Sequence, residues 1–229
     1  MLQGLMMQMP LTISSLIVHA DRHHGDAEVV SRRVEGDIHR TTYREIHQRS
    51  RQLANALAGK GVRMGDRVAT IAWNGYRHME LYFAVSGAGS VLHTINPRLH
   101  PEQIAWIVNH AGDTALFFDL TFLPIVEAIA AHCGTVRHWV LMTDRAHMPA
   151  STKVPDLVCY EELLGSHSDK FTWPDFDENT ASSMCYTSGT TGNPKGVLYS
   201  HRSTVLPTLA AALPDALNVS ARDVTLPVA

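Results

Sequence analysis

The chain has 229 residues, 45% of them hydrophobic and 18% charged, with a formal net charge of −3. That is enough for one large domain or two small ones with a sizeable core, and no basic field recommends nucleic acid as a partner. Three widely separated cysteines, Cys133, Cys159 and Cys185, argue for reduced thiols in a cytoplasmic protein rather than a disulfide framework or zinc knuckle. No stretch offers the roughly 20 uninterrupted apolar residues of a membrane span, and the N-terminus lacks the pattern of a signal peptide.

In chain order, Thr12 to His23 reads as a helix with Ile13, Leu16, Ile17 and Ala20 on one face. Ala27 to Val34 and Ile38 to Tyr43 read as strands joined at the turn-forming Glu35-Gly36-Asp37. Thr42-Tyr43-Arg44-Glu45 has the form of a capping box opening a helix to about Lys60, where Gly61 would end it. From Asp66 the alternation is regular. Strands are predicted over Val68–Trp73, Val91–Ile95, Ala115–Phe118 and Val136–Met142, with helices over His78–Val85, Pro101–Ala111 and Leu123–His132 between them. That β-α-β order implies parallel strands with right-handed crossovers. Asp144 to Pro155 reads as a surface loop, a helix falls within Thr204 to Leu217, and Asp223 to Ala229 reads as the start of another buried strand.

The segment that carries chemistry is Tyr186-Thr187-Ser188-Gly189-Thr190-Thr191-Gly192-Asn193-Pro194-Lys195-Gly196, set between short apolar runs and so expected as a loop between two strands. Its glycines let the backbone turn peptide N–H groups toward a ligand. The hydroxyls of Thr187, Ser188, Thr190 and Thr191 can donate to anionic oxygens or ligate a metal, and Lys195 adds a mobile positive charge. A plain Ser/Thr/Gly surface loop is the ordinary reading of such a tract. The density of hydroxyls, the Pro-Lys-Gly ending and the apolar flanks favour a polyphosphate cradle instead. It is not a Walker loop, because no Gly-Lys is followed by Ser or Thr.

Tyr186 to Val197 resembles the signature phosphate loop of the adenylate-forming superfamily, which includes acyl-CoA synthetases, luciferases and peptide-synthetase adenylation domains. The resemblance extends to Thr42-Tyr43-Arg44-Glu45-Ile46, Gly65-Asp66-Arg67-Val68-Ala69 and Ile95-Asn96-Pro97-Arg98-Leu99. Met184-Cys185 and Pro10-Leu11-Thr12-Ile13 look most like bacterial medium- or long-chain fatty acyl-CoA synthetases.

The resemblance implies an α/β fold, the incomplete large N-terminal domain of that superfamily, with layered, mostly parallel sheets flanked by helices. Residues from 1 to about 65 would contribute to one subdomain and about 66 to 229 largely to a second. The implied reaction joins a carboxylate, a fatty acid by this resemblance, to ATP as an acyl-adenylate and then transfers it to CoA, with Mg²⁺ as electrostatic clamp. Thr187 is expected nearest the metal and α-phosphate, Ser188, Gly189, Thr190, Thr191 and Gly192 around the β- and γ-phosphates, and Lys195 on the leaving pyrophosphate. The family's later aromatic-Gly-x-Thr-Glu motif, ribose-binding Asp and C-terminal lysine have no counterpart here. The chain therefore reads as a fragment, catalytically incomplete alone and prone to dimerise or self-associate. An aryl- or amino-acid-adenylating ligase and a non-catalytic nucleotide-binding module are the alternatives.

Other features read more plainly. His19 and His23, spaced i, i+4, are expected on a solvated helix face rather than at a metal. Gly87-Ala88-Gly89 is expected to be a packing or turn feature, His201 to place the next helix, the four tryptophans to pack, and Cys185 to be a buried inert thiol.

Overall fold

A computed structural model of the chain describes residues 2–187 and 194–227. The first helix, α1 (Ile13–His24), leads into an antiparallel hairpin of β1 (Glu28–Arg32) and β2 (Ile38–Thr42). β2 runs directly into α2 (Tyr43–Gly59), because Thr42 and Glu45 complete the capping box and satisfy amides that the helix cannot. The helix ends where expected. Gly61 takes φ +78°, its amide bonding Ala58 O at 2.9 Å while the Val62 amide bonds Leu57 O at 3.0 Å.

The expected alternation follows, as β3 (Arg67–Ile71), α3 (Tyr76–Gly87), β4 (Val91–Thr94), α4 (Pro101–Ala111), β5 (Asp113–Phe118), α5 (Leu123–Ile129) and β6 (His138–Leu141). A two-residue strand, β7 (Val158–Cys159), and a short helix, α6 (Tyr160–Gly165), come next. The chain then forms β8 (Ala181–Thr187), β9 (Lys195–Ser200) and α7 (His201–Ala212). Seven strands make one sheet in the order β7-β6-β5-β3-β4-β8-β9, parallel throughout except for the antiparallel β8–β9 pair.

Alternation along the strands divides the core in two. One face carries Ala69, Ile71, Leu116, Phe118 and Leu141, covered by α4 through Ile104, Ile107 and Val108 and by α5 through Val126 and Ile129. The other carries Val68, Leu92, Ala115, Phe117 and Val140, covered by Leu53 and Leu57 of α2, Leu81 and Val85 of α3, and Leu163 and Leu164 of α6. Each fully buried Leu, Ile or Phe contributes about 1.5–3 kcal/mol, so both faces must be covered for the sheet to persist. Trp173 lies against Gly87, so the Gly87-Ala88-Gly89 stretch ends α3 and serves packing, as expected.

Charge is also buried. Glu80 of α3 has no exposure, and its carboxylate accepts from Arg49 Nε at 2.6 Å and Tyr160 Oη at 2.6 Å, tying α3 to α2 and α6. Burial pushes the Glu80 pKa up, and Arg49 opposes that shift. His78, bonded to Thr70 Oγ1 at 3.1 Å, is held neutral by burial, its pKa pulled down to about 4.

Three expectations need correction. Residues 223–227 form no strand: Val224 is 101% and Leu226 82% exposed, because no neighbouring strand pairs with them. α7 begins at His201 rather than Thr204, since Ser200 accepts the Ser203 amide as its cap. Cys185 is half-buried rather than buried, because β8 lies near the sheet's edge. Among the described residues no helix is long and apolar enough to cross a membrane.

Two outcomes follow. Tyr160→Phe leaves a Glu80 oxygen short of a donor, so urea unfolding should show a loss of about 1–3 kcal/mol. An unfolded histidine takes up its proton near pH 6.5, whereas His78 resists until about 4. Its contribution is therefore complete above pH 6.5 and lost as pH falls toward 4. The wild-type stability curve should fall more steeply than that of His78→Gln over this window, by on the order of 3 kcal/mol in all.

Candidate active site

β8 is held on both sides. Its Ser183, Met184 and Cys185 pair in parallel with Leu92, His93 and Thr94 of β4. On its other edge β9 returns antiparallel, with Tyr186 opposite Gly196 and Thr187 opposite Lys195. The expected loop between two strands is thus a hairpin, and Thr187 and Lys195 are cross-strand partners at its open end. Both are exposed, and Thr187 Oγ1 lies 3.5 Å from the Lys195 carbonyl oxygen, a long contact that leaves the hydroxyl available. Lys195 has no carboxylate partner among the described residues. Ser188, Gly189, Thr190, Thr191 and Gly192 lie outside the described residues.

Beneath the hairpin lies a group of side chains that local sequence reading misses. Tyr186 is half-buried, and its hydroxyl bonds His110 Nδ1 of α4 at 2.6 Å. The His110 ring is stacked on Trp106, one turn earlier, with centroids 4.6 Å apart. On the inner side the Tyr186 ring packs 5.2 Å from His93, whose Nδ1 bonds Asp113 Oδ2 at 2.8 Å. His93 and Asp113 are both fully buried. Burial drives the Asp113 pKa up, and the hydrogen bond from His93 opposes it. Burial likewise raises the Tyr186 pKa, keeping the phenol protonated. The one signal available beforehand was the i, i+4 spacing of Trp106 and His110 on a predicted helix.

The remaining candidates separate from this site. His201 is buried and accepts the Ile13 amide on Nδ1 at 3.1 Å, so it does place a helix, joining the start of α7 to that of α1. Burial lowers its pKa to about 4. His19 and His23 are exposed, with rings 4.6 Å apart, and no third ligand joins them among the described residues. Glu35, Asp144 and His147 do approach one another within 4.8 Å. Two of these groups are already engaged in part, since Glu35 Oε1 accepts from Arg77 and Thr143 and Asp144 bonds His147, while Glu35 Oε2 is buried with no partner among the described residues. A shallow cleft open to solvent lies where β3 and β5 end, between Trp73, Tyr76 and Asp119, and no residue of β8 or β9 lines it. Burial pushes the Asp119 pKa up to about 6 there, while its Oδ2 accepts the Trp73 amide at 2.7 Å.

Comparison with known proteins bears on this geometry. A family model described as AMP-binding enzyme matches residues 17–229. The chain is 54% identical over 225 residues to a medium-chain-fatty-acid–CoA ligase of Ectopseudomonas oleovorans, covering 98% of this chain and 41% of that protein. It is also 54% identical over 225 residues to a 3-methylmercaptopropionyl-CoA ligase of Ruegeria lacuscaerulensis, covering 98% of this chain and 42% of that protein. The chain thus spans well under half the length of these curated relatives. The crystal structure of a Brucella canis acyl-CoA synthetase superposes with a TM-score of 0.75 at 16% identity, covering 94% of this chain and 37% of that one, a likeness of fold. With the family match running almost from end to end and the loop's flanking strands forming a hairpin on a parallel sheet, this chain belongs to the AMP-binding, adenylate-forming enzyme family.

Proposed function

We propose that the chain supplies the phosphate-gripping part of an ATP-dependent acid–thiol ligase that activates a fatty acid and passes it to CoA. In that protein, residues up to about 65 and from about 66 would contribute to successive subdomains of one large domain, in a cytoplasmic setting. The observation that carries the reading is the pairing of Thr187 with Lys195. A hydroxyl and an ammonium stand exposed on adjacent strands, at the two ends of a short Ser/Thr/Gly connection.

The chemistry needs such a place. A carboxylate oxygen attacks the α-phosphorus of ATP, the bond to pyrophosphate breaks, and an acyl-adenylate forms; a thiolate then attacks the acyl carbon and AMP departs. The first step brings anions together, so donors must be fixed before reaction. Lys195 places its charge where the leaving pyrophosphate gathers negative charge. The Thr187 hydroxyl donates at the α-phosphate, and with Ser188, Gly189, Thr190, Thr191 and Gly192 it would form the cradle. The donor set suits a nucleotide with its cation, since Thr187 Oγ1 accepts no hydrogen bond and Lys195 has no competing carboxylate among the described residues. When bound, Mg²⁺ supplies charge neutralisation and a template for the phosphate oxygens.

The relatives' names differ in acyl substrate at equal identity, fatty acid in one and 3-methylmercaptopropionate in the other, so identity over this stretch does not separate acids. The fatty-acid assignment rests on the Pro10-Leu11-Thr12-Ile13 and Met184-Cys185 segments.

Calorimetric titration with ATP and Mg²⁺ tests the grip directly. Lys195→Ala should weaken binding by about ten- to a hundredfold, the worth of one charge-assisted hydrogen bond, and Thr187→Ala by less. An unchanged affinity in both would reject the cradle. In a carboxylate-dependent pyrophosphate assay the 229-residue polypeptide should show little turnover. The same polypeptide exposes Leu198 and Tyr199 on β9, which has a neighbour on one side only among the described residues, and Leu209 and Leu213 at α7, apolar surface open to a second copy. Sedimentation should therefore show self-association that Leu198→Lys reduces, and a clean monomer for the wild type would refute it.

A further inference from the structure

We propose that Tyr186 is a positioning residue, fastening the open end of the β8–β9 hairpin to α4 so that Thr187 and Lys195 stay opposed. The link to nucleotide rests on the reading of the loop given above; the fastening itself does not.

The geometry has three parts. The first is the post. Arg67 donates to the Ala111 carbonyl through Nε at 2.7 Å and to the Gly112 carbonyl through Nη2 at 3.0 Å, fixing the last turn of α4. Gly112 takes φ +68°, and a β-carbon there would sit 2.7 Å from Arg67 Nη2, so the helix ends in one way only. His110 stands in that turn, its ring plane kept by the stack on Trp106 at an interplanar angle of 17°.

The second part is the clasp. A tyrosine hydroxyl 2.6 Å from an imidazole nitrogen is a short, well-formed hydrogen bond, and it spans 76 residues of sequence. The stack on Trp106 keeps the imidazole plane, and in that plane Nδ1 faces the Tyr186 oxygen. The third part is the seat. Gly196 is the cross-strand partner of Tyr186, and a β-carbon on it would lie 3.1 Å from the Tyr186 ring. The glycine therefore admits the ring between β9 and the buried His93–Asp113 pair.

Tyr186 is also the residue immediately before Thr187, and its partner Gly196 immediately follows Lys195. Whatever holds Tyr186 thus holds the last pair of the ladder. β9 has a strand on one side only among the described residues, and Val197, Leu198 and Tyr199 are all exposed, so packing does little to hold that strand. The side-chain clasp substitutes for the missing neighbour. α4 is in turn the helix that follows the Asn96-Pro97-Arg98-Leu99 turn, so a displacement of α4 would reach Lys195 through this bond and through the edge-on contact of the Tyr186 ring with Trp106.

Amide hydrogen exchange on the full 229-residue chain tests the fastening without any ligand. Tyr186→Phe keeps the ring and removes the donor. Exchange between residues 185 and 197 of the β8–β9 ladder should speed up by roughly fivefold or more, while amides of β3 and β5 keep their wild-type rates. His110→Ala should do the same, and His110→Asn, whose amide oxygen can take the place of Nδ1, should restore slow exchange. Unchanged ladder exchange in Tyr186→Phe, or acceleration spread over the whole sheet, would overturn the proposal. Titration with ATP and Mg²⁺ then separates the two readings. A several-fold weaker affinity in Tyr186→Phe supports positioning. Wild-type affinity in Tyr186→Phe beside a loss in Lys195→Ala overturns positioning and leaves the loop reading intact. No loss in either Lys195→Ala or Thr187→Ala rejects the loop reading, and ladder exchange alone then decides the clasp.

Discussion

Strand β8 is bonded on both edges, parallel to β4 and antiparallel to β9, and the placement of Thr187 opposite Lys195 follows from that double pairing. A parallel neighbour comes through a long crossover and brings β8 into the two-sided core. An antiparallel neighbour comes through a short connection, so the chain must reverse direction between Thr187 and Lys195. The reversal is where hydroxyls and glycines are concentrated. A one-residue slip in the β8–β9 register would put a side chain in place of Gly196 against the Tyr186 ring and part Thr187 from Lys195, which makes register and site one problem.

The interior that supports this edge is not purely apolar. Glu80, Arg49, Tyr160, Glu161 and Arg77 form a partly buried network in which Arg49 Nη2 meets Glu161 at 2.9 Å and Arg77 Nε meets the same carboxylate at 2.8 Å. Such networks gain little net free energy over apolar packing, but removing one member strands a charge at a cost of several kcal/mol. Here the members come from α2, α3 and α6, which cover the same face of the sheet. Their relative positions are therefore set by directional bonds as well as by the non-directional packing of Leu53, Leu81 and Leu163.

Much of this was legible along the chain, for identifiable reasons. Thr42 and Glu45 cap α2 through bonds three residues apart, and Pro101 opens α4 because a helix's first turn needs no amide donor. Short, nearly continuous apolar runs gave β3, β5 and β6 their expected places, as strands buried on both faces do. β7 escaped because two residues carry no periodicity, and Val158 and Cys159 become a strand only by pairing with Val140 and Leu141. Val224 and Leu226 erred in the opposite direction, since an apolar pattern without a neighbour to bond stays outside a sheet. At the site, the hairpin and its two flanking residues were legible from composition. Tyr186, His110, His93 and Asp113 were not, because burial and pairing depend on partners 20 and 76 residues away.

The bond from the Ile13 amide to buried His201 joins residues 188 positions apart. During synthesis at ~5–20 residues per second, the acceptor for that amide is made on the order of ten to forty seconds after the donor. The Ile13 amide must therefore wait for its acceptor, although Ile17 can pack against Ile46 and Tyr76 as soon as α2 and α3 have been made. The sheet from β3 to β6 can assemble in the meantime from nearer neighbours. The start of α1, not its buried face, is what locks late.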